Sequence, residues 1–91
     1  MLFEGDASKN DACFVTRGFD FEFAGQVLFD PKRLISLDNR RSYGEDRYQV
    51  IGMIDGKLYV VVFTPRRASQ RIISARKANQ REIKRYENSK N

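Results

Sequence analysis

The N-terminal third of the chain has apolar positions at helical spacing, bounded by residues that begin and end helices. Ser8 and Asp11 have the spacing of a capping box and Gly18 is typical of the position after a helix, so a first helix is predicted from Ser8 to Gly18. Asp20 is a suitable N-cap for a second helix, which should end at Asp30-Pro31 because proline disfavours helical backbone in its predecessor. The apolar stripe of this second helix consists of Phe21, Ala24 and Leu28.

After Pro31 the pattern changes to extended segments. Besides a short edge strand at residues 1–3, the predicted strands are RLISL, RYQVIGMI, KLYVVVFT and RIISA. Asp55-Gly56 between two β-rich runs predicts a type I′ hairpin. A two-residue turn then sets Ile54 opposite Lys57, and the further pairs are Met53 with Leu58, Ile51 with Val60, Gln49 with Val62 and Arg47 with Thr64.

Both faces of this hairpin are apolar. One, the tyrosine face, carries Tyr48, Val50, Gly52, Ile54, Tyr59, Val61 and Phe63, and the opposite face carries Ile51, Met53, Leu58, Val60 and Val62. A sheet with one solvated face would alternate apolar with polar residues, so both faces need cover. Short helices cover one face well and the other only in part. We infer that part of this second face meets a partner; alternatively, the C-terminal helix wraps over it.

The end of the chain predicts a basic helix with little apolar surface. Asn79 and Glu82 have capping-box spacing, and the helix should end near residues 86–88. Arg81 and Arg85 repel one another at i, i+4, so the helix needs tertiary docking or an anionic partner. Its apolar residues are Ala78, Ile83 and Tyr86. These elements predict an α+β fold, two N-terminal helices leading into an antiparallel sheet and closed by a basic helix, in a single domain over residues 1–91.

Composition favours binding to an anionic partner. The 91 residues include 17 lysines and arginines and 12 carboxylates, which gives a net charge of +5 and a pI near 9.7. That field suits nucleic acid, anionic lipid or an acidic protein. Cys13 is the single cysteine, so no internal disulfide is expected, and the chain fits a reducing cytoplasm. The longest apolar run, LYVVVF, is too short to cross a membrane.

Several classes of enzyme lack their usual residues here. The chain has no histidine, which removes the usual general base and the commonest zinc ligand. One cysteine cannot form a zinc cluster, and no glycine-rich phosphate loop stands between a strand and a helix. We therefore expect neither a metal nor a cofactor.

The residues best suited to chemistry are guanidinium groups near strand ends and on the last helix. Guanidinium donates to phosphate in a planar fork and can stabilise charge that develops on phosphate oxygens in a transition state. The candidate set is Arg47, Thr64, Arg66, Arg71, Arg76 and Tyr86. These arginines are equally compatible with solvated positions or with ion pairs to Glu45, Asp46, Glu82 and Glu87. A second basic patch, formed by residues 39–41 with Lys32 and Arg33, reads as a solvated loop or as an RNA contact.

Four segments together resemble a known family. EGDASKN, FEFAGQVLFDP, YGEDRYQVIGMIDGKLYVVVFTPR and RIISARKANQREIKRYE are similar in order and spacing to the BrnT toxins of BrnT/BrnA toxin–antitoxin systems. The resemblance implies a RelE-like fold, ribonuclease activity that halts translation, and neutralisation by a DNA-binding BrnA antitoxin. Gly5 stands where the family usually has tryptophan, and Arg17 where it usually has histidine.

The resemblance also implies a site. The positions that match the family's basic and aromatic motifs are Arg47, Thr64, Arg66, Arg71, Arg76, Glu82 and Tyr86. We expect the RNA 2′-OH to attack the adjacent phosphate without a metal, Arg66 and Arg76 to neutralise the developing charge, Arg47 to position phosphate, and Tyr86 to relay a proton or stack on a base. With Thr64, these are the candidate catalytic residues. The candidate RNA-binding residues are Arg40, Arg41, Arg71, Lys77, Arg81 and Arg85.

Two other functions are alternatives to the ribonuclease. A non-catalytic module that binds RNA or the ribosome would need the same charge and strands, and RNA cleavage discriminates the two. A DNA-binding regulator is disfavoured because no helix-turn-helix spacing is present. We therefore expect contact with DNA only through the antitoxin. The resemblance further implies a monomeric free toxin and a 2:2 complex dimerised through the antitoxin.

Overall fold

The computed structural model describes residues 2–5, 9, 18–38, 45–67 and 69–89. The elements in chain order are β1 (Leu2–Gly5), α1 (Phe21–Ala24), the 3₁₀ helix η1 (Gly25–Phe29), β2 (Leu34–Leu37), β3 (Tyr48–Ile54), β4 (Lys57–Pro65), β5 (Ser69–Lys77) and α2 (Gln80–Glu87). The strands form one sheet in the order β1-β5-β4-β3-β2. The predicted α+β class is confirmed.

The sheet is antiparallel from β2 to β5, as predicted, but β1 pairs with β5 in parallel. The prediction of an antiparallel sheet was therefore wrong for the N-terminal strand. Apart from Lys9, the first predicted helix up to residue 17 lies outside the described residues, so two N-terminal helices and a RelE-like fold stay predictions.

The second predicted helix is present with the predicted bounds. The Asp20 carboxylate accepts a hydrogen bond from the Phe23 backbone N–H at 2.8 Å, as an N-cap does. Only its first turn is α-helical, and the chain continues as η1 up to Asp30. A Cβ on Gly52 would lie 2.7 Å from the Val27 Cβ, so glycine at this strand position lets η1 rest directly on β3.

The Asp55-Gly56 hairpin is confirmed. Both turn residues have positive φ, 50° and 82°, as a type I′ turn requires. The register agrees from Ile54–Lys57 to Gln49–Val62, and the ladder ends at Tyr48–Phe63. The predicted pair of Arg47 with Thr64 is not part of this ladder; instead, the Arg47 carbonyl oxygen accepts from the Asp38 N–H at 2.7 Å.

The main core lies between the tyrosine face and α1–η1. The rings of Phe19 and Phe23 pack edge-on against Tyr59, with centroids 5.2 and 5.6 Å away. Edge-to-face packing of this kind adds to the stabilisation from apolar burial. The other members of this core are Phe21, Ala24, Val27, Leu28, Val50, Ile54, Val61, Phe63, Ile72 and Ala75.

The opposite face is also buried at its centre. Ile51, Val60 and Val62 are almost inaccessible to solvent although they are not part of the main core. Helix α2 contacts β3, and its Glu82 pairs with Arg76, which lies opposite Val60 on this face. Helix α2 therefore lies on this face, and a partner that meets the remainder of the face stays a prediction.

Helix α2 begins and ends as predicted. The Asn79 side chain accepts from the Glu82 N–H at 2.9 Å, and the Glu82 carboxylate accepts from the Asn79 N–H at 2.9 Å, which completes the capping box. The helix ends at Glu87. Among the described residues, no helix is both long and apolar enough to cross a membrane.

Candidate functional site

The open end of the β3–β4 hairpin brings together the predicted residues at positions 47, 64 and 66. One oxygen of Glu45 lies 3.5 Å from the Arg47 Nε and the other lies 3.4 Å from an Arg66 Nη. The Thr64 hydroxyl donates to the Asp46 carbonyl oxygen at 2.6 Å. Because β3 begins where β4 ends, this cluster follows directly from the hairpin register. We call it the strand-end cluster.

Arg71 belongs to the same end of the sheet. It is paired with Thr64, so both side chains project from the opposite face. Strand β5 has a bulge between Ile72 and Ser74, which are the partners of Phe63 and Val62. This bulge determines that Arg71 is the residue paired with Thr64. The short β4–β5 connection is held by the Arg66 N–H, which donates to the Ser69 carbonyl oxygen at 2.9 Å.

Arg76 lies elsewhere and is bound by the protein itself. Its two terminal nitrogens donate to the two oxygens of Glu82 at 2.8 and 2.7 Å, and the Glu82 side chain is only 9% exposed. The hydrogen bonds from Arg76 lower the pKa of Glu82 against the opposing effect of burial, with further help from the Asn79 N–H and from the charge of Arg85. A bidentate pair of this kind fixes α2 on the sheet.

Tyr86 has a partner from the other half of the chain. Its hydroxyl donates to Asp30 Oδ2 at 2.7 Å, and the same carboxylate accepts from the backbone N–H groups of Lys32 and Met53, each at 2.8 Å. Burial acts to raise the pKa of Asp30, but these hydrogen bonds and the nearby Arg33 lower it overall. Burial, together with the hydrogen bond and charge of Asp30, raises the pKa of Tyr86 to about 12. The phenol is therefore protonated at neutral pH.

The candidate catalytic residues therefore form two groups. Arg76 is opposite Val60, four residues along β4 from Thr64, which corresponds to about 13 Å at the usual strand rise. Arg66 lies two residues beyond Thr64 along the chain, which corresponds to about 20 Å from the level of Arg76 at the same rise per residue. Arg66 and Arg76 would thus contact different parts of one RNA strand more readily than a single phosphate.

The candidate RNA-binding residues are dispersed. Arg81 and Arg85 are exposed on α2, and Lys77 at the end of β5 borders a shallow hollow beside Phe19 and Tyr59. Arg71 belongs to the strand-end cluster. The remaining two, Arg40 and Arg41, lie outside the described residues.

The structure shows contacts of two carboxylates, Glu45 and Asp30, that the sequence does not indicate. The sequence indicates Glu45 only as a possible ion-pair partner, because its position between Arg47 and Arg66 depends on the two ends of the hairpin meeting. The sequence indicates Asp30 only as the end of a helix. Its bond to Tyr86 spans 56 residues and leaves no local signal in the sequence. Within the described ranges, no group of three or more His, Cys, Asp or Glu side chains is arranged to hold a metal ion.

Comparison with known proteins places the sequence in a family. Residues 6–82 match the family model described as ribonuclease toxin, BrnT, of type II toxin-antitoxin system. No curated protein matches the chain. The matched range contains the strand-end cluster, Arg76 and Glu82, and it ends before Arg85 and Tyr86. Most of the candidate residues therefore lie in the matched range.

Proposed function

This chain belongs to the BrnT family of ribonuclease toxins of type II toxin–antitoxin systems, and from that premise we propose that it is a metal-independent endoribonuclease that cuts RNA and so inhibits translation. We further propose that residues 1–91 act as one RelE-like domain in the cytoplasm. The structural observation that carries the proposal is the strand-end cluster, in which two guanidinium groups flank the Glu45 carboxylate and the Thr64 hydroxyl donates to the Asp46 backbone carbonyl oxygen.

The proposed reaction is transesterification within RNA. The 2′-oxygen forms a bond to the adjacent phosphorus, and the bond from phosphorus to the 5′-oxygen breaks. The proton of the 2′-hydroxyl passes to a general base, while the 5′-oxygen takes up a proton from a general acid. Arg47 positions the phosphate, and Arg66 donates to its oxygens as negative charge develops. Thr64 holds the start of β3 against the end of β4 through the Asp46 carbonyl.

The roles of Arg76 and Tyr86 in this proposal depend on their partners. The terminal nitrogens of Arg76 can bind phosphate only if they donate to Glu82 and phosphate together or give up their hydrogen bonds to Glu82. Tyr86 is protonated at neutral pH, so it accepts a proton from RNA only while passing its own to Asp30. The ring remains suitable for stacking on a base.

A second candidate function is a non-catalytic RNA- or ribosome-binding module. The observation that favours it is that Arg76 and Tyr86 both hold α2 in place. Such residues would be needed for the fold of a binding protein that performs no chemistry. The family description favours the ribonuclease.

The antitoxin implied by the family is the partner of this toxin, and we propose that it is of the BrnA type. In this proposal the free toxin is monomeric, and a 2:2 complex forms through dimerisation of the antitoxin. Contact with DNA is then made by the antitoxin alone. Sedimentation of the free chain and of the complex measures both masses directly.

Cleavage of a labelled RNA under single-turnover conditions tests the enzyme. We expect cleavage to continue in EDTA, because charge stabilisation is assigned to guanidinium groups rather than to a metal. Loss of cleavage in EDTA with recovery on addition of Mg²⁺ or Zn²⁺ would refute metal independence. RNA that is bound but never cut would establish the binding module instead.

Inhibition of translation is tested in growing bacteria. Induction of the chain alone should stop growth and incorporation of labelled amino acids, and co-expression of the antitoxin should restore both. An Arg47→Ala, Arg66→Ala double variant controls for the burden of expression. It should accumulate without stopping translation, because the strand-end cluster loses both guanidinium groups.

A further inference from the structure

The β2 strand forms one edge of the sheet. Its strand neighbour is β3, and in the described part of the chain no strand lies beyond it. The Asp38 N–H points toward β3, where it donates to the Arg47 carbonyl oxygen. Backbone groups alternate along an antiparallel strand, so the N–H and C=O groups of Ile35 and Leu37 point outward. An open edge of this kind can accept another strand.

This edge also presents apolar side chains. Ile35 and Leu37 are 47% and 52% exposed, and Phe29 at the end of η1 is 59% exposed. Ile35 pairs with Val50 and Leu37 with Tyr48, so both project from the tyrosine face at the point where the cover of α1–η1 ends. The strongest exposure of large apolar groups is therefore beside β2 rather than at the centre of the opposite face.

Cations border the same edge. Arg33 and Arg85 line a shallow hollow with Pro31, Leu34 and Ile35, and Lys32 is exposed nearby. The carboxylates in this region are already occupied or buried: Asp30 accepts hydrogen bonds from Tyr86 and from two backbone N–H groups, and Asp38 is buried. Asp30 keeps its negative charge when it accepts these hydrogen bonds, but the three cations outnumber the two carboxylates, so among the described residues the border of the edge is positive.

We propose that the outer edge of β2 is the docking site for an extended segment of the antitoxin. This segment adds a strand beside β2, places apolar side chains on Ile35, Leu37 and Phe29, and directs acidic side chains to Arg33 and Arg85. The open main chain, the exposed aliphatic groups and the positive border each match one property of such a peptide. The inference rests on the toxin–antitoxin family and is independent of how RNA is cut.

RNA fits this edge less well than a peptide does. Single-stranded RNA is held by cations together with aromatic rings on which bases stack. Phe29 offers one exposed ring at the end of η1, but Ile35 and Leu37 offer no stacking plane, and outward N–H and C=O groups at strand spacing match another strand. A second copy of the chain would bring a second positive border against the first, so like charges would oppose pairing of two β2 edges.

Hydrogen exchange on the wild-type protein tests the site without any substitution. In the free chain the outward amides of Ile35 and Leu37 should exchange rapidly. On addition of the co-encoded antitoxin they should slow by about tenfold or more, because each then donates to the added strand. Amides at residues 35 and 37 that exchange equally fast in the complex would overturn the proposal.

A matched set of variants tests the side chains. Ile35→Asp with Leu37→Asp should weaken antitoxin binding by about 100-fold, as substitutions at the centre of an interface do. Ser36→Asp adds one such charge on the same strand but from the opposite face, and should change affinity by less than about threefold. Calorimetry with purified antitoxin measures affinity, and thermal unfolding verifies that each variant is folded.

The outcomes separate this site from the proposed function. Variants that still cut RNA but escape the antitoxin support the edge. If wild type binds antitoxin but cuts no RNA, only the proposed ribonuclease fails. If the Ile35/Leu37 variant binds antitoxin as wild type does, the edge fails. It fails equally if that variant loses only RNA cleavage, or only a dimer of the free chain, since the edge then serves RNA or a second copy.

Discussion

At the scale of single residues, Arg76 has two possible duties that the structure makes separable. It donates both terminal nitrogens to Glu82, so it is at once a candidate phosphate ligand and a structural clamp. If the reacting phosphate lies at Arg76 rather than at the strand-end cluster, Arg76→Ala should lower single-turnover RNA cleavage by about 100-fold or more, because one guanidinium that stabilises transition-state charge is worth several kcal/mol. Arg76→Lys should rescue poorly, since lysine lacks the planar fork.

The matched variant for this prediction is Glu82→Gln. Glutamine keeps an acceptor for the Asn79 N–H but removes the charge that holds Arg76. If Arg76 contacts phosphate, Glu82→Gln should reduce cleavage by less than about threefold. If Arg76 is only a clamp, both variants should lose cleavage to a similar extent and both should unfold more easily. Denaturant unfolding should also show a loss of about 1 to 3 kcal/mol for Arg76→Ala, because Glu82 is left buried without its cation.

At the scale of elements, α2 is attached to the sheet chiefly by polar contacts. Its apolar residues are few, and the Tyr86 hydroxyl reaches Asp30 at the end of η1. We expect Tyr86→Phe to lower the free energy of unfolding by about 1 to 2 kcal/mol at pH 7, the loss of one hydrogen bond to a charged group. Urea unfolding of wild type and variant measures this difference, and far-UV circular dichroism verifies the helix.

The pH dependence of that difference identifies its cause. The pKa of Tyr86 is raised in the folded chain from 10.0 to about 12, so its contribution is complete below pH 10 and is lost between pH 10 and pH 12. The pKa of Asp30 is lowered, so its contribution is present at neutral pH and is lost as the pH falls below its ordinary value of 3.8. The stability gap between wild type and Tyr86→Phe should close at both extremes. A gap that is constant with pH would contradict the assigned hydrogen bond.

The sequence predicted those elements whose signals are local. Asp55-Gly56 specified the hairpin and its register, and Asn79 with Glu82 specified the start of α2. Contacts between distant segments left no such signal. Gly52 fitted the pattern of an ordinary strand position, and only the approach of Val27 shows why a side chain is excluded there. The parallel pairing of β1 with β5 likewise depends on the path of the chain between them.

At the scale of the whole molecule, the candidate site was predicted as a set of residue types but not as an arrangement. The sequence indicated which arginines suit phosphate, because side-chain chemistry is local. It did not show that Arg47 and Arg66 share Glu45 while Arg76 is held by Glu82 on another part of the sheet. Nor did it show that the exposed apolar surface lies beside β2, since that depends on where the cover of α1–η1 ends.

The net charge of +5 gives a last prediction about the face of α2. Arg81 and Arg85 are exposed on this helix and far from the strand-end cluster along the chain. If RNA lies across α2, Arg81→Ala and Arg85→Ala should each reduce the slope of log Kobs against log salt by about 0.7, the value for one contact with single-stranded nucleic acid. The cleavage rate constant at saturating protein should change by less than about twofold, because neither group contacts the reacting phosphate.

Lys57→Ala is the matched control for this prediction, because it removes the same charge at the hairpin turn, where the Lys57 position belongs to the tyrosine face. Its salt slope should equal that of wild type. If all three variants have the salt slope of wild type, RNA does not cross α2. If the slope is reduced equally in all three variants, net charge alone attracts RNA.

Arg85 also borders the β2 edge, so antitoxin docked there should compete with RNA for this side chain. In the Arg85→Ala variant, antitoxin and RNA no longer compete for this side chain. The antitoxin should therefore displace RNA less effectively from Arg85→Ala than from Arg81→Ala.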